Sequence, residues 1–208
     1  VASALDYAHA KHVVHRDVKP ANIMWDPATD TVKVMDFGVA RITDASKTRT
    51  GIVLGTPSFM SPEQLCGAKV DGRTDLYALG VTLFQLLTGA LPLRAESMPE
   101  LMHKIVHVPA PDIRTLRPDL PEAVATLVAK ALNKRPEDRY QTGAQLAQAL
   151  THAMDNALQK SIGDVTAAVV YDPDRSPAEQ NMLLTKTTVL EHPQQQSPAS
   201  RPVAAPVG

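Results

Sequence analysis

One cysteine, Cys66, stands among 208 residues, so no disulfide can close within the chain. That fits a reducing, cytoplasmic setting, where a lone thiol is ordinarily a small, partly buried side chain. Charge of one sign is missing too. The 21 Lys and Arg against 22 Asp and Glu leave a formal net charge of −1. No strong field therefore draws the chain to nucleic acid or to an anionic membrane. Long hydrophobic runs are absent: none approaches the ~18 residues of a membrane-crossing helix. The longest late candidate, Val165 to Tyr171, falls far short. Neither a secretory leader pattern nor an internal repeat is visible. What remains, at 44% hydrophobic and 21% charged, is the composition of one globular domain with some extra chain. The sequence opens on Val1 in mid-pattern, so it is expected to be a fragment.

Periodicity sets the elements. Ala4, Leu5, Ala8 and His12 recur at helical spacing and predict the end of a helix. A loop, Val13 to Asn22, follows. Ile23-Met24-Trp25 reads as a short strand, Asp26-Pro27-Ala28-Thr29-Asp30 as a turn, and Thr31 to Met35 as the returning strand. Ala40 to Gly55, polar and aperiodic, is expected to be flexible. Leu76, Leu79, Gly80, Leu83, Leu86 and Leu87 mark a helix apolar enough to run through a core. Thr74 is its expected N-cap, with Gly89 and Pro92 as the stop. Three further helices carry capping-box candidates, opening at Ser97, Asp119 and Thr142. The last has Leu146, Leu150, Met154 and Leu158 on its apolar face. After about Gln159, prolines and Gln194-Gln195-Gln196 dominate, a composition that cannot bury enough apolar surface to order itself. The expected division is a domain over 1–158 and a disordered tail or linker over 159–208.

Chemistry concentrates in two short runs, His15-Arg16-Asp17-Val18-Lys19-Pro20-Ala21-Asn22 and Asp36-Phe37-Gly38. Folding back at the predicted turn brings Asn22 and Asp36 to one open end of the hairpin. Two oxygen donors separated in sequence thus become neighbours. His9, His12 and His15 form a spaced trio that invites a metal reading, but no Cys or carboxylate cluster accompanies them.

The ordered pair of motifs resembles the catalytic lobe of a protein serine/threonine kinase. That resemblance implies phosphoryl transfer from ATP, with Mg2+ or Mn2+, to the Ser and Thr hydroxyls of protein substrates. Asp17 would orient the acceptor hydroxyl and take its proton, help worth about 10²–10⁴ in rate. Lys19 would set its ammonium against the transferring phosphate. Asn22 and Asp36 would offer oxygens to the metal, which prefers hard donors. Phe37 and Gly38 would anchor and hinge that carboxylate, and His15 would brace the loop.

Gly55-Thr56-Pro57-Ser58-Phe59-Met60-Ser61-Pro62-Glu63 resembles the segment that receives the substrate, with Ser61 where the family usually has Ala. Within it Thr56 would hydrogen-bond Asp17 and Lys19. Glu63 is expected to pair with Arg139, and Asp75, at a helix start, to hold the backbone of the catalytic loop. These motifs, with Arg139-Tyr140-Gln141-Thr142, look like bacterial kinases of the eukaryotic type. Thr48 and Thr50 are candidate phosphorylation sites whose phosphate would dock on Arg16.

The family's glycine-rich loop, strand lysine and helix glutamate have no counterpart in these residues. The resemblance covers Ala4 to Leu158 and implies a mainly α fold: a C-terminal kinase lobe with a short β-hairpin at the catalytic cleft, followed by the tail. An N-terminal lobe in cis is the implied partner. The face that would meet it is expected to be exposed and apolar, and the chain alone to be poorly active. No nucleic-acid partner and no membrane segment are expected here. Relatives of this type carry an anchor and a sensor after a Pro-rich linker, with the kinase on the cytoplasmic side. The alternative is a kinase-like lobe that docks or regulates partners without catalysis.

Overall fold

A computed structural model describes residues 1–37 and 57–168, with side chains left out at 157, 158 and 160–168. The chain divides into two units, Val1–Gln159 and Lys160–Gly208. Helix α1 (Ala2–Ala10) buries Leu5 and Ala8. A loop and one 3-10 turn (Pro20–Asn22) lead into strands β1 (Ile23–Asp26) and β2 (Thr31–Val34). The strands pair antiparallel, Ile23 opposite Val34 and Trp25 opposite Val32. Asp26 closes their turn by accepting from the Thr29 hydroxyl and the Ala28 N–H, both at 2.9 Å. Those bonds, Thr29 foremost, hold its carboxyl below the ordinary value. An isolated hairpin is marginal in water. This one is tied at its base, where Met35 N–H donates to Asn22 O at 2.8 Å.

Beyond residue 57 come α2 (Pro62–Leu65), α3 (Gly72–Thr88), α4 (Met98–His107), α5 (Glu122–Ala131) and α6 (Gly143–Ala168). Helix α3 is the axis of the core. Leu76, Tyr77, Leu79, Val81 and Phe84 are buried in it, and Leu5, Val18, Val128 and Leu146 pack into the same cluster. Gly80 lets α5 approach: a Cβ there would lie 2.8 Å from the Ala131 Cβ. The helix stops at Gly89, which adopts φ 71° and donates its N–H to Gln85 O.

Several local expectations give way to tertiary demands. The N-cap of α3 is Asp71, not Thr74, and its carboxylate accepts from Arg73 N–H. Thr74 lies inside the helix, buried, with its hydroxyl turned to Glu63. Asp119 does not cap α5. It is engaged with Arg117 at 2.6 and 2.8 Å, and Pro121 takes the cap position without a side-chain bond. Leu86 and Met154 are exposed, at 68% and 62%, and the buried stripe of α6 runs through Leu146 and Ala153 instead. His12 lies beyond the end of α1, and Cys66 is exposed at the end of α2. Helix α6 continues past Gln159 to Ala168. No proline interrupts it before Pro173, so the shift in composition does not end the helix. No described helix is long and apolar enough to cross a membrane.

Candidate active site

Asp75 organises the loop before β1. It sits in the first turn of α3 with no exposure. Its Oδ1 accepts Arg16 N–H at 2.7 Å, and its Oδ2 accepts His15 N–H at 2.8 Å and the His9 ring at 2.7 Å. A buried carboxylate is tolerated because its lone pairs are taken up by donors. Arg16 adopts φ 68°, the left-handed region that a residue with a Cβ avoids. The Asp75 bonds hold that strained backbone in place. His9 is a member of this cluster that sequence reasoning grouped with the other histidines. Gly72 makes room for it, since a Cβ there would lie 2.5 Å from His9 Nδ1.

His15 is fully buried and joins the loop to the end of β2. Its Nδ1 accepts Asp17 N–H at 3.2 Å, so the ring proton is on Nε2, which donates to Met35 O at 2.7 Å. The Phe37 ring lies against it, with centroids 4.6 Å apart.

Asp17, Lys19 and Asn22 interlock. Asp17 Oδ2 accepts from Lys19 Nζ at 2.8 Å and from Asn22 Nδ2 at 3.0 Å, and Asn22 Nδ2 also reaches Asp17 O at 2.8 Å. Asn22 is 6% exposed, and its amide nitrogen is fully used. Its Oδ1, the Asp17 Oδ1 and the Asp36 carboxylate accept no bond from the described residues. Pairing of Asn22 O with Met35 N–H sets Asp36 beside Asn22 at the open end of the hairpin, with Asp36 at φ 61°. The backbone at Asn22 and the residue before Asp36 is thus joined, at the end of the hairpin where the sequence expected the two donors. The Asp36 carboxylate and the Asn22 amide oxygen are hard donors of the kind magnesium takes, so the side chains present fit that ion. The histidine trio does not converge: His9 turns to Asp75, His15 to Met35, and His12 is exposed. Among the described residues no three His, Cys, Asp or Glu side chains gather about one point.

Below the loop, Glu63 and Arg139 form the expected pair, two-pronged at 2.7 and 2.8 Å. Thr74 donates to the same carboxylate at 2.7 Å. Arg139 also donates to the carbonyls of Asn133, Lys134 and Arg73, and its guanidinium lies 4.9 Å from the Tyr77 ring centre. Burial pushes the Glu63 carboxyl up, but Arg139 and Thr74 outweigh it, and the group sits below its ordinary value. Burial raises the Tyr77 phenol to about 12.

Gln64 was not anticipated. It completes a reciprocal capping box with Ser61 and extends its amide to Arg16 O at 3.0 Å. The Ser61-Pro62-Glu63-Gln64 run carries the capping-box pattern, which was the available signal. Gly38, Thr48, Thr50 and Thr56 lie outside the described residues.

Residues 1–154 match the protein kinase domain. The serine/threonine-protein kinase pkn3 of Myxococcus xanthus is 45% identical over 195 residues, which covers 86% of this chain and 35% of that protein. PknH of Mycobacterium bovis is 37% identical over 218 residues, covering 99% of this chain and 35% of that protein. The crystal structure of the Mycobacterium tuberculosis PknI kinase domain superposes with a TM-score of 0.54 at 33% identity, covering 73% of this chain and 50% of that one. The chain therefore spans about a third of the length of these curated relatives and half of the solved domain. With the catalytic-loop geometry, the clamp on Asp75 and these likenesses together, the chain belongs to the protein kinase family, among relatives that are bacterial serine/threonine kinases.

Proposed function

We propose that this chain is the catalytic lobe of an ATP-dependent protein serine/threonine kinase, roofed by an N-terminal lobe in cis and acting in the cytoplasm. Asp17 takes the proton of the acceptor hydroxyl at its open Oδ1 while Lys19 and Asn22 hold Oδ2, so the carboxylate is kept from turning away. Lys19, already at the site, meets the charge of the transferring phosphate. Asn22 Oδ1 and the Asp36 carboxylate hold Mg2+ or Mn2+. When bound, that ion neutralises charge on the phosphate oxygens. The observation that carries the reading is the Lys19–Asp17–Asn22 interlock at the open end of the hairpin beside Asp36. Support for a covering lobe comes from the hairpin's exposed apolar side chains: Met24 at 58%, Trp25 at 64% and Val32 at 44%. Thr56 is assigned to the Asp17–Lys19 pair, and Thr48 and Thr50 to phosphorylation that docks on Arg16. Unmodified Thr48 and Thr50 in ATP-treated full-length protein, by mass spectrometry, would remove that assignment.

The test is transfer of labelled phosphate to a generic protein substrate by the full-length gene product. Asp17→Asn should lower kcat about 10²–10⁴-fold. The 208-residue chain alone should bind ATP weakly and transfer little. Transfer by the parent no faster than background, and equal to that of Asp17→Asn, would replace the enzyme with a docking module.

A further inference from the structure

The peptide unit joining Arg16 to Asp17 is held at both of its polar atoms. Its N–H, on Asp17, donates to His15 Nδ1 at 3.2 Å. Its carbonyl, on Arg16, accepts from Gln64 Nε2 at 3.0 Å. The two preceding peptide units are anchored through their N–H groups on Asp75. The Asp17 Cα follows directly, so rotation of this unit would swing the Asp17 side chain. Arg16, at φ 68°, sits in a conformation that relaxes unless it is held.

The Gln64 donor to that carbonyl comes from 48 residues away, in α2. Its amide is used at both ends. Oε1 accepts Ser61 N–H at 2.9 Å and Nε2 reaches Arg16 O, so the orientation of the amide is set by the two partners. Helix α2 follows directly on the segment that the resemblance assigns to substrate reception. We propose that Gln64 is a positioning residue, which locks the Arg16–Asp17 peptide so that the place of α2 and the aim of Asp17 are set together. Moving α2 withdraws this bond and loosens the peptide that aims the Asp17 carboxylate. This rests on Asp17 being the proton acceptor of the kinase reading.

The experiment uses the full-length protein with Gln64→Glu and Thr74→Val. A carboxylate at 64 keeps the shape and still accepts Ser61 N–H, but has no hydrogen for Arg16 O. The expected result is a fall in kcat of about tenfold, with KM for ATP within about twofold, because a hydrogen bond that aims the base is lost while nucleotide contacts stay. Amide exchange over residues 13–19 should rise in the same variant. Thr74→Val removes the hydroxyl bond to Glu63 of α2 and spares the Gln64–Arg16 bond, so its kcat should stay within about twofold of the parent. Unchanged kcat and unchanged exchange in Gln64→Glu would overturn the proposal. So would a Thr74→Val variant that loses kcat as far as Gln64→Glu at the same loss of Tm, since Gln64 would then act only by holding α2. If the parent transfers no phosphate while Gln64→Glu still loosens residues 13–19, the bond is upheld and the kinase reading is what fails.

Discussion

Glu63–Arg139 and Asp17–Lys19 are two ion pairs of the same chemistry and nearly the same length, at 2.7 and 2.8 Å. Their surroundings differ. Arg139 and Glu63 are 0% and 8% exposed along their side chains, whereas Lys19 and Asp17 are 36% and 46% exposed. Both Glu63 oxygens are bonded, and Arg139 spends its remaining donors on three carbonyls. Among the described residues only the Oδ2 of the Asp17 carboxylate is bonded. Contact distance therefore does not separate a pair that holds the fold from one that is ready to exchange partners. Burial and the number of committed lone pairs do.

The largest expected effect comes from breaking the buried pair. Arg139→Ala leaves Glu63 and three carbonyls uncompensated and should cost about 3–5 kcal/mol in urea denaturation. A loss below about 1 kcal/mol would put the two pairs in one class. Acid sharpens the same contrast. The ordinary value for Glu63 is 4.5, and its folded value lies below that. As pH falls past 4.5 the unfolded chain takes up this proton first, so the pair's stabilisation is full above that point and is lost as pH drops through the folded value. Tm of the parent against Glu63→Gln, followed from pH 6 to 3, should show the variant with the flatter dependence. The smallest effect belongs to the open pair. Lys19→Ala should change stability by about 1 kcal/mol at most, while phosphate transfer by the full-length protein drops. A Lys19→Ala protein that melts as early as Arg139→Ala would break the comparison.

Much of the site was legible before any coordinates. The hairpin follows from alternation at Val32, Lys33 and Val34 and from the turn residues of Asp26 to Asp30, and only the structure adds its register, with Asp26 paired to Thr31 rather than in the turn. Thr74 and Asp119 show where local reading ended. Each is a good capping residue by type, and each was drawn to a stronger partner: Thr74 to a buried carboxylate, Asp119 to a guanidinium. Leu86 fits the apolar repeat of α3 yet faces outward, because a helix apolar on most sides cannot state which side meets no neighbour.

By itself the sequence determined the order of elements, the residues that can accept a proton or offer oxygen, and the turn that collects them. These depend on backbone preference and on periods of two and 3.6 residues, which are local. Only the tertiary structure decided that His9, 66 residues from Asp75, would share its carboxylate, and that Gln64 would close on Arg16 from 48 residues away. Polar pairing over such separations depends on the path of the chain between the partners and on what burial leaves unpaired, and no local pattern encodes either.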